Sequence, residues 1–231
     1  MQVLNKEIPD SWNMIAVDEY PDIDIPTWLM NARQEAITLG GVIQDKMMNK
    51  VHKCTNPTQS NWFISCIPWR ELNYVLRMVG NKLSCCLEIG LNTAGTHVIF
   101  KHMSRHVISV DNSWSHIMCT TDLLQRFNRH ENSDLVWGMS SHALTISRVQ
   151  SLAPKVDLIL IDGDHSKAQV LRDFYAYYHL VKSGGWVLFD DFFSHPEVSF
   201  AVLAISQDVG IDMSVAYSEE SLQGLAFFQK P

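Results

Sequence analysis

Three aspartates follow apolar segments of the sequence, at positions where their carboxylates could hold a metal ion. Asp162 comes directly after the apolar segment 156–161, and the adjacent pair Asp190 and Asp191 follows the segment 185–189. Neighbouring carboxylates repel each other unless water, a proton or a cation relieves the repulsion. Together these aspartates could form an all-oxygen site for a hard divalent cation such as Mg²⁺. The alternative is that one member of the adjacent pair only caps the segment after it.

A glycine-containing segment and a later aspartate have the spacing of a nucleotide site. Gly90 and Gly95 lie in the segment 88–95, which is typical of a strand-to-helix turn where a ligand can approach the backbone. The segment is not G-x-G-x-x-G, which weakens the case for a dinucleotide pyrophosphate. Asp111 lies 23 residues after Glu88, a spacing that suits an acid binding ribose hydroxyls. A lone aspartate at a strand end can also be a simple turn former.

These residues need a scaffold that brings several strand ends to one edge. After residue 80, short apolar runs alternate with helical patterns, which predicts βαβ units and a mainly parallel α/β sheet. We predict strands at 84–89, 106–110, 134–137, 156–161, 185–189, 213–218 and 225–229, and helices near 94–103, 114–128, 141–152 and 167–182. Ligands bind at the carboxyl ends of such strands, so the acids and glycines should meet there.

Two local signals refine this scheme. A short polar connection with Gly224 separates the last two predicted strands, so these strands should form a hairpin. Ser166 and Gln169 have the spacing of a capping box at the start of the helix after Asp162.

The first 80 residues have a different composition and form a predicted N-terminal arm with helices, ahead of a main domain at 81–231. We expect this part to serve as a lid, as acceptor contacts or as dimer contacts. We predict an irregular arm at 1–26, a helix at 27–39 stopped by Gly40 and Gly41, a helical stretch at 42–51, a polar loop at 55–61 and a helix from Pro68 to Gly80.

The overall composition is that of an ordinary globular protein. The chain has 231 residues, is 46% hydrophobic and carries a net charge of −7, with no run of basic residues. We therefore expect no nucleic-acid partner. No apolar run approaches the roughly 18 residues of a membrane span, and no signal peptide is recognisable. Five cysteines without a C-x-x-C motif favour reduced thiols and a cytoplasmic location.

Three segments together resemble the class I S-adenosylmethionine-dependent methyltransferases. They are CCLEIGLNTAGTH at 85–97, ISVDNS at 108–113 and the long segment 157–192, which runs from DLILIDGDH to GGWVLFDDF. The sequence most resembles the metal-dependent O-methyltransferases of the macrocin and cephalosporin-biosynthesis type, with catechol and caffeoyl-CoA O-methyltransferases as more distant relatives. The resemblance covers about residues 82–230 and leaves residues 1–80 outside.

The resemblance implies a Rossmann-like, doubly wound, seven-stranded sheet with a reversed last strand, and it implies the site residues. Glu88, Gly90 and Gly95 would surround the methionine part of the cofactor, Asp111 would bind the ribose, and Ser140 would lie against the adenine. An acid is common where Met139 stands, so adenine recognition would rest on Ser140 and backbone groups. The implied cofactor-binding residues are Glu88, Gly90, Leu91, Asn92, Gly95, Asp111, Asn112, Met139, Ser140 and Asp162; the implied metal ligands are Asp162, Asp190 and Asp191.

Two residues compete for the role of general base. His165 stands where the catechol and caffeoyl-CoA relatives have a lysine, and a histidine accepts a proton near neutral pH without a large pKa shift. Asp164 stands where some sugar-modifying relatives have a base. The simpler alternative for His165 is a hydrogen bond to the start of the next helix. The other histidines, including His97, His102, His106 and His195, show no metal-ligand spacing and are expected at the surface or in structural roles.

The leading hypothesis is a Mg²⁺-dependent O-methyltransferase that acts on a hydroxyl of a small molecule, such as a natural product, a sugar or a phenol. A homodimer or higher homo-oligomer is compatible with it. Three alternatives stay open: a metal-independent methyltransferase, a non-catalytic cofactor-binding partner subunit, and an NAD-dependent oxidoreductase, which the missing G-x-G-x-x-G motif disfavours.

Overall fold

A single mixed sheet forms the centre of the computed structural model, which describes residues 8–19, 25–48, 69–126, 130–219, 221 and 223–231. Within these residues the strands are β1 (Asn13–Ala16), β2 (Leu83–Ile89), β3 (Ser104–Asp111), β4 (Ser133–Trp137), β5 (Val156–Ile161), β6 (Val181–Phe189), β7 (Ser214–Tyr217) and β8 (Leu225–Gln229). The helices are α1 (Thr27–Met48), α2 (Trp69–Val79), α3 (Gly95–Met103), α4 (Trp114–Arg126), α5 (Ala143–Leu152), α6 (Lys167–Tyr177) and α7 (Pro196–Val209).

The strand order is β1-β7-β8-β6-β5-β2-β3-β4. All neighbouring pairs are parallel except those that β8 makes with β6 and with β7. The predicted α/β architecture with a reversed last strand is therefore confirmed, and so is the hairpin formed by the last two strands.

Apolar side chains cover both faces of the sheet, which explains the nearly continuous apolar runs in its central strands. On β5, Ile159 and Ile161 contact one hydrophobic cluster with residues of α5, α6 and α7. Leu158 and Leu160 contact the other cluster, with residues of α1, α2 and α3. The alternation of side chains along a strand thus buries every residue of the run.

The N-terminal region departs from the sequence prediction at two places. The arm contributes β1, which pairs in parallel with β7 so that Ile15 lies opposite Ala216, and the sheet therefore has an eighth strand. Helix α1 does not stop at Gly40 but continues through Gly41 to Met48. Two glycines cost a helix only about 2 kcal/mol, and the buried stripe of α1 outweighs this cost. That stripe consists of Leu29, Ala32, Ala36 and Leu39.

Other boundaries shift by a few residues. The helix predicted at 167–182 ends at Tyr177, and a 3₁₀ turn at Tyr178–Leu180 leads directly into β6, which begins four residues before its predicted start. The predictions for the loop at 55–61, for Pro68 and for the end of the helical stretch at 49–51 fall outside the described residues. Among the described helices, none has the length and apolar character needed to cross a membrane.

Candidate active site

A cavity of about 480 Å³ opens at the carboxyl ends of the parallel strands. It lies where the chain changes direction across the sheet: β2 has β3 on one side and β5 on the other, which is the position where ligands bind in open α/β sheets. The predicted site residues that border the cavity are Gly90, Asn92, Asp111, Asn112, Met139, Ser140, Asp162, Asp164, His165 and Asp191. Glu88, Leu91, Gly95 and Asp190 are not among its lining residues.

Gly90 is needed because the ends of β2 and β5 approach each other closely. Its φ is +98°, and a Cβ atom added there would lie 1.9 Å from the backbone oxygen of Asp162. The backbone N–H of Asp162 in turn donates to the carbonyl oxygen of Ile89 at 2.9 Å. The absence of a side chain at Gly90 therefore allows the ends of β2 and β5 to pack together, and it also allows a ligand to approach the backbone.

Asp111 organises the loop after β2. Its Oδ2 accepts hydrogen bonds from the backbone N–H groups of Leu91 at 2.9 Å and Asn92 at 3.1 Å, and lies 3.0 Å from His116 Nδ1. Its Oδ1 accepts the N–H of Ser113 at 2.7 Å. Burial alone would raise the pKa of Asp111, but these hydrogen bonds hold it below its usual value. Asp111 is thus a carboxylate fixed at the cavity wall.

Glu88 lies in the interior beneath α3 rather than at the cavity. Ser109 Oγ donates to its carboxylate, and His97 Nδ1 lies 2.7 Å from the same serine oxygen. Burial raises the pKa of Glu88 well above its usual range and lowers the pKa of His97 to about 3. Glu88 and His97 therefore belong to a buried polar network that joins α3 to the sheet, as expected for a structural histidine.

Helix α6 holds the segment after β4 against the cavity. Ser140 Oγ donates to Asp173 Oδ1 at 2.6 Å, and Tyr177 Oη donates to the carbonyl oxygen of Ser140 at 2.5 Å. Gln169 Nε2 also donates to Asp173 Oδ1, at 2.9 Å. Burial raises the pKa of Asp173 to about 6. Asp173 was not predicted from the sequence, and Gln169 was predicted in a capping box with Ser166 rather than in this contact.

The start of α6 corrects the predicted capping box. Ser166 is the N-cap residue, but its side chain makes no capping hydrogen bond, and the side chain of Gln169 turns towards Ser140. Asp164 takes over part of this role, because its Oδ1 accepts the N–H of Ser166 at 2.7 Å. The hydrogen bonding to Ser166 lowers the pKa of Asp164, so this exposed residue at the cavity is a carboxylate at neutral pH.

Asp162, Asp190 and Asp191 converge at one end of the cavity, with one carboxylate oxygen of each within 4.8 Å of the others. Asp190 is 2% exposed, and neither of its carboxylate oxygens has a hydrogen-bond partner within the described part of the chain. Burial raises the pKa of Asp190 well above its usual range and that of Asp162 to about 6, and the neighbouring carboxylates add to both shifts. A buried carboxylate without hydrogen-bond partners, next to two further carboxylates, fits a divalent cation that the carboxylate oxygens would coordinate.

Asp191 has an unusual backbone conformation. Its φ is +60°, in the left-handed region that few residues other than glycine adopt. Ser194 Oγ donates to its Oδ1, and Gln223 Nε2 donates to the same oxygen at 3.2 Å. The carboxylate orientation is therefore set by two neighbours, neither of which was anticipated from the sequence. A strained backbone held in place in this way is typical of functional sites.

Two histidines stand beside the aspartates. His165 Nε2 lies 3.0 Å from Asp191 Oδ2 and 3.8 Å from Asp162 Oδ1, and its ring stacks on His195 with 4.2 Å between ring centroids. Interactions with the carboxylates of Asp162 and Asp191 raise the pKa of His165 to about 10. His195, which is expected from the sequence at the surface or in a structural role, lies 4.0 Å from Asp191 Oδ2. The only hint of this contact in the sequence is that His195 follows Asp191 by four residues.

Comparison with known proteins identifies the domain. Residues 84–192 match a family model described as a methyltransferase domain. An uncharacterized protein of Acanthamoeba polyphaga mimivirus is 38% identical over 64 residues, which make up 26% of this chain and 29% of the viral protein. The chain thus spans less than a third of that relative.

Solved structures share the fold. A Staphylococcus aureus protein assigned as a caffeoyl-CoA O-methyltransferase has a TM-score of 0.60 at 19% identity, covering 88% of this chain and 98% of its own. A Bacillus cereus O-methyltransferase in complex with S-adenosylhomocysteine has a TM-score of 0.58 at 17% identity, covering 94% and 98%. Residues 84–192 thus match a methyltransferase domain, and the chain has the fold of these solved structures.

Proposed function

We propose that the protein is an S-adenosylmethionine-dependent O-methyltransferase that uses a divalent cation and acts on a hydroxyl group of a small molecule. The observation that carries this proposal is the position of Asp162. It borders the cavity shared with Asp111 and also belongs to the carboxylate group of Asp190 and Asp191. A cofactor in the cavity and a cation on the carboxylates would therefore be neighbours.

The cavity has the features that the cofactor needs. Its volume falls within the roughly 300–1,000 Å³ of small-molecule sites. Asp111 presents a fixed carboxylate for the ribose hydroxyls, while Met139 and Ser140 border the region proposed for the adenine. Met139 is 56% exposed, so its thioether would cover an adenine face at little cost to the free protein.

The reaction needs an aligned and deprotonated acceptor more than it needs an activated cofactor, because the sulfonium methyl group is already electrophilic. The acceptor O–H bond breaks and its proton passes to a base, while a new O–CH₃ bond forms and the S–CH₃ bond breaks, leaving S-adenosylhomocysteine. A bound cation would lower the pKa of the acceptor hydroxyl and hold it in position. Asp162, Asp190 and Asp191 would hold that cation.

Asp164 is the better placed of the two candidate bases. It borders the cavity as an exposed residue, and its lowered pKa keeps it an unprotonated carboxylate at neutral pH, the state that a general base needs. His165 also borders the cavity, but its Nε2 lies 3.0 Å from Asp191 Oδ2 and is therefore directed at the aspartates rather than at an acceptor. We therefore assign the base to Asp164 and place His165 with the metal-binding group.

The test is methyl transfer from S-adenosylmethionine to a panel of phenols, sugars and hydroxylated natural products, with and without EDTA. The proposal expects S-adenosylhomocysteine to form with at least one acceptor, activity to fall on chelation, and activity to return with added divalent cation. Activity that EDTA leaves unchanged would favour the metal-independent alternative. Cofactor binding without transfer to any acceptor would favour a non-catalytic partner subunit.

A further inference from the structure

We propose that His165, His195 and Asp191 together bind a first-row transition-metal cation that favours imidazole, such as Co²⁺, Zn²⁺ or Fe²⁺. The inference rests on the proposed function, since it concerns the same metal-binding end of the cavity. It differs from the all-oxygen Mg²⁺ site expected from the sequence, because it adds two nitrogen ligands and thereby changes the class of cation.

The distances between the donor atoms suit one cation. His165 Nε2 and His195 Nε2 lie 3.0 Å and 4.0 Å from the same oxygen, Asp191 Oδ2. Two ligands that each lie about 2.1 Å from a cation are separated by about 3.0 to 4.2 Å, depending on the angle between them. The ligand atoms of the three residues all lie within 4.8 Å of one another. Small side-chain adjustments would therefore complete the coordination.

The local backbone explains why the two imidazoles face one carboxylate oxygen. The left-handed conformation of Asp191 turns the chain, and the N–H of His195 donates to the carbonyl oxygen of Asp191 at 3.1 Å. Ser194 and Gln223 occupy Asp191 Oδ1. Oδ2 is thereby directed to the histidines, in the way that outer hydrogen bonds orient ligating carboxylates in metal sites.

The surrounding carboxylates indicate that a cation binds here, because the described residues provide no partner for the buried oxygens of Asp190. Asp190 is 2% exposed and both of its oxygens lack hydrogen-bond partners in the described part of the chain. Asp162 Oδ1 lies 3.8 Å from His165 Nε2, so the carboxylate group and the histidine pair are continuous through Asp191. Mg²⁺ prefers oxygen ligands and water, whereas imidazole together with carboxylate suits Zn²⁺, Fe²⁺ and Co²⁺.

Co²⁺ is a suitable probe, because its visible absorption reports the ligands directly. The metal-stripped 231-residue chain is titrated with Co²⁺ and, separately, with Mg²⁺. Calorimetry and absorption follow the binding, with no cofactor or acceptor present. We expect one Co²⁺ per chain, bound at least about tenfold more tightly than Mg²⁺. His165→Ala and His195→Ala should each weaken Co²⁺ binding at least about tenfold and change its spectrum, since even outer partners of metal ligands contribute that much.

His179→Ala is the matched control. It removes an exposed histidine in the 3₁₀ turn that follows α6, where His179 Nε2 lies 2.9 Å from Gln150 Nε2, and it should leave Co²⁺ and Mg²⁺ binding unchanged. Equal affinities for Co²⁺ and Mg²⁺, or wild-type Co²⁺ binding and spectra in both histidine variants, would overturn the inference. Because the titration involves no methyl transfer, activity that resists EDTA would contradict the proposed function and leave this metal assignment standing.

Discussion

The backbone oxygen of Asp162 occupies the space that a side chain on Gly90 would need, 1.9 Å from the ideal Cβ position. This contact joins the end of β2 to the end of β5 at the floor of the cavity. The same glycine has φ of +98°, which residues with a Cβ rarely adopt. Gly90 therefore allows β2 and β5 to fit together, and it thereby sets the position of Asp162, which we propose as a ligand of the metal and as a contact of the cofactor.

Gly90→Ala should consequently destabilise the protein and displace Asp162. We expect a loss of at least about 3 kcal/mol in the free energy of unfolding, because a backbone clash adds to the strain of the positive φ. Urea denaturation followed by circular dichroism measures this loss. Gly210→Ala is the matched control: its φ is +65°, but no atom lies within 4 Å of the added Cβ. This variant should therefore lose only the stability that corresponds to the strain of a positive φ, without the loss from a clash. Equal losses in the two variants would contradict the account.

Asp190→Asn should separate folding from metal binding. A neutral amide does not repel the carboxylates of Asp162 and Asp191 and can donate a hydrogen bond to them, so the metal-free variant should be more stable than the wild type by about 1–3 kcal/mol. In the wild type, saturation with a divalent cation at about 100 times its Kd should add about 2.7 kcal/mol, and the variant should lose this gain. Thermal unfolding with and without cation checks both expectations. A variant less stable than the metal-free wild type, or one stabilised equally by cation, would refute this assignment.

Asp164→Asn tests the assignment of the base. We expect kcat to fall by about 10²- to 10⁴-fold, the usual contribution of a general base, with S-adenosylhomocysteine affinity unchanged. Asp208→Asn provides the control, since this aspartate accepts a hydrogen bond from Tyr175 on the outside of α6 and α7. Steady-state kinetics on any accepted hydroxyl compound gives the result. Unchanged kcat in Asp164→Asn would transfer the role to His165 or to solvent.

Asp157 should affect stability alone, in a pH-dependent way. It lies at the amino end of β5 and accepts hydrogen bonds from Lys182 Nζ and from the N–H groups of Cys85 and Ser84. Burial acts to raise the pKa of Asp157, but these hydrogen bonds lower it below the usual value. Its contribution is therefore present above the unfolded pKa of about 3.9 and is lost as the pH falls through the lowered folded value.

Asp157→Asn should thus cost about 1–2 kcal/mol at pH 7, since Lys182 is partly exposed and contributes little. The difference from the wild type should narrow below pH 4. Denaturation at pH 3.5 and at pH 7 measures both values, and a difference that does not change with pH would argue against the charged hydrogen bonds.

The positions of several site residues were predictable because they follow directly from strands with strong apolar patterns. Asp111, Asp162 and Asp190 each come just after a buried run, and parallel strands bring their ends together. The strand β1 was not predictable, since a four-residue segment without alternating polarity acquires its structure only by pairing with β7, about 200 residues later in the chain.

The histidine pair shows a second limit of sequence patterns. His165 and His195 are 30 residues apart, and they stack only because Asp191 adopts a left-handed conformation that turns the chain after β6. Aspartate adopts this conformation only occasionally, so an aspartate in the sequence does not by itself predict it. Glu88 shows a further limit, because the sequence did not predict the hydrogen bond that its buried carboxylate accepts from Ser109; its role at the cofactor stays a prediction.

The binding of S-adenosylhomocysteine, measured by calorimetry, tests the central claim most directly. The account predicts that one molecule binds per chain and that Asp111→Asn weakens binding by about 10- to 100-fold, as expected for losing a charged hydrogen-bond acceptor. It also predicts that Asp157→Asn binds like the wild type and that NAD binds far more weakly. No binding of S-adenosylhomocysteine, or tighter binding of NAD, would contradict the account.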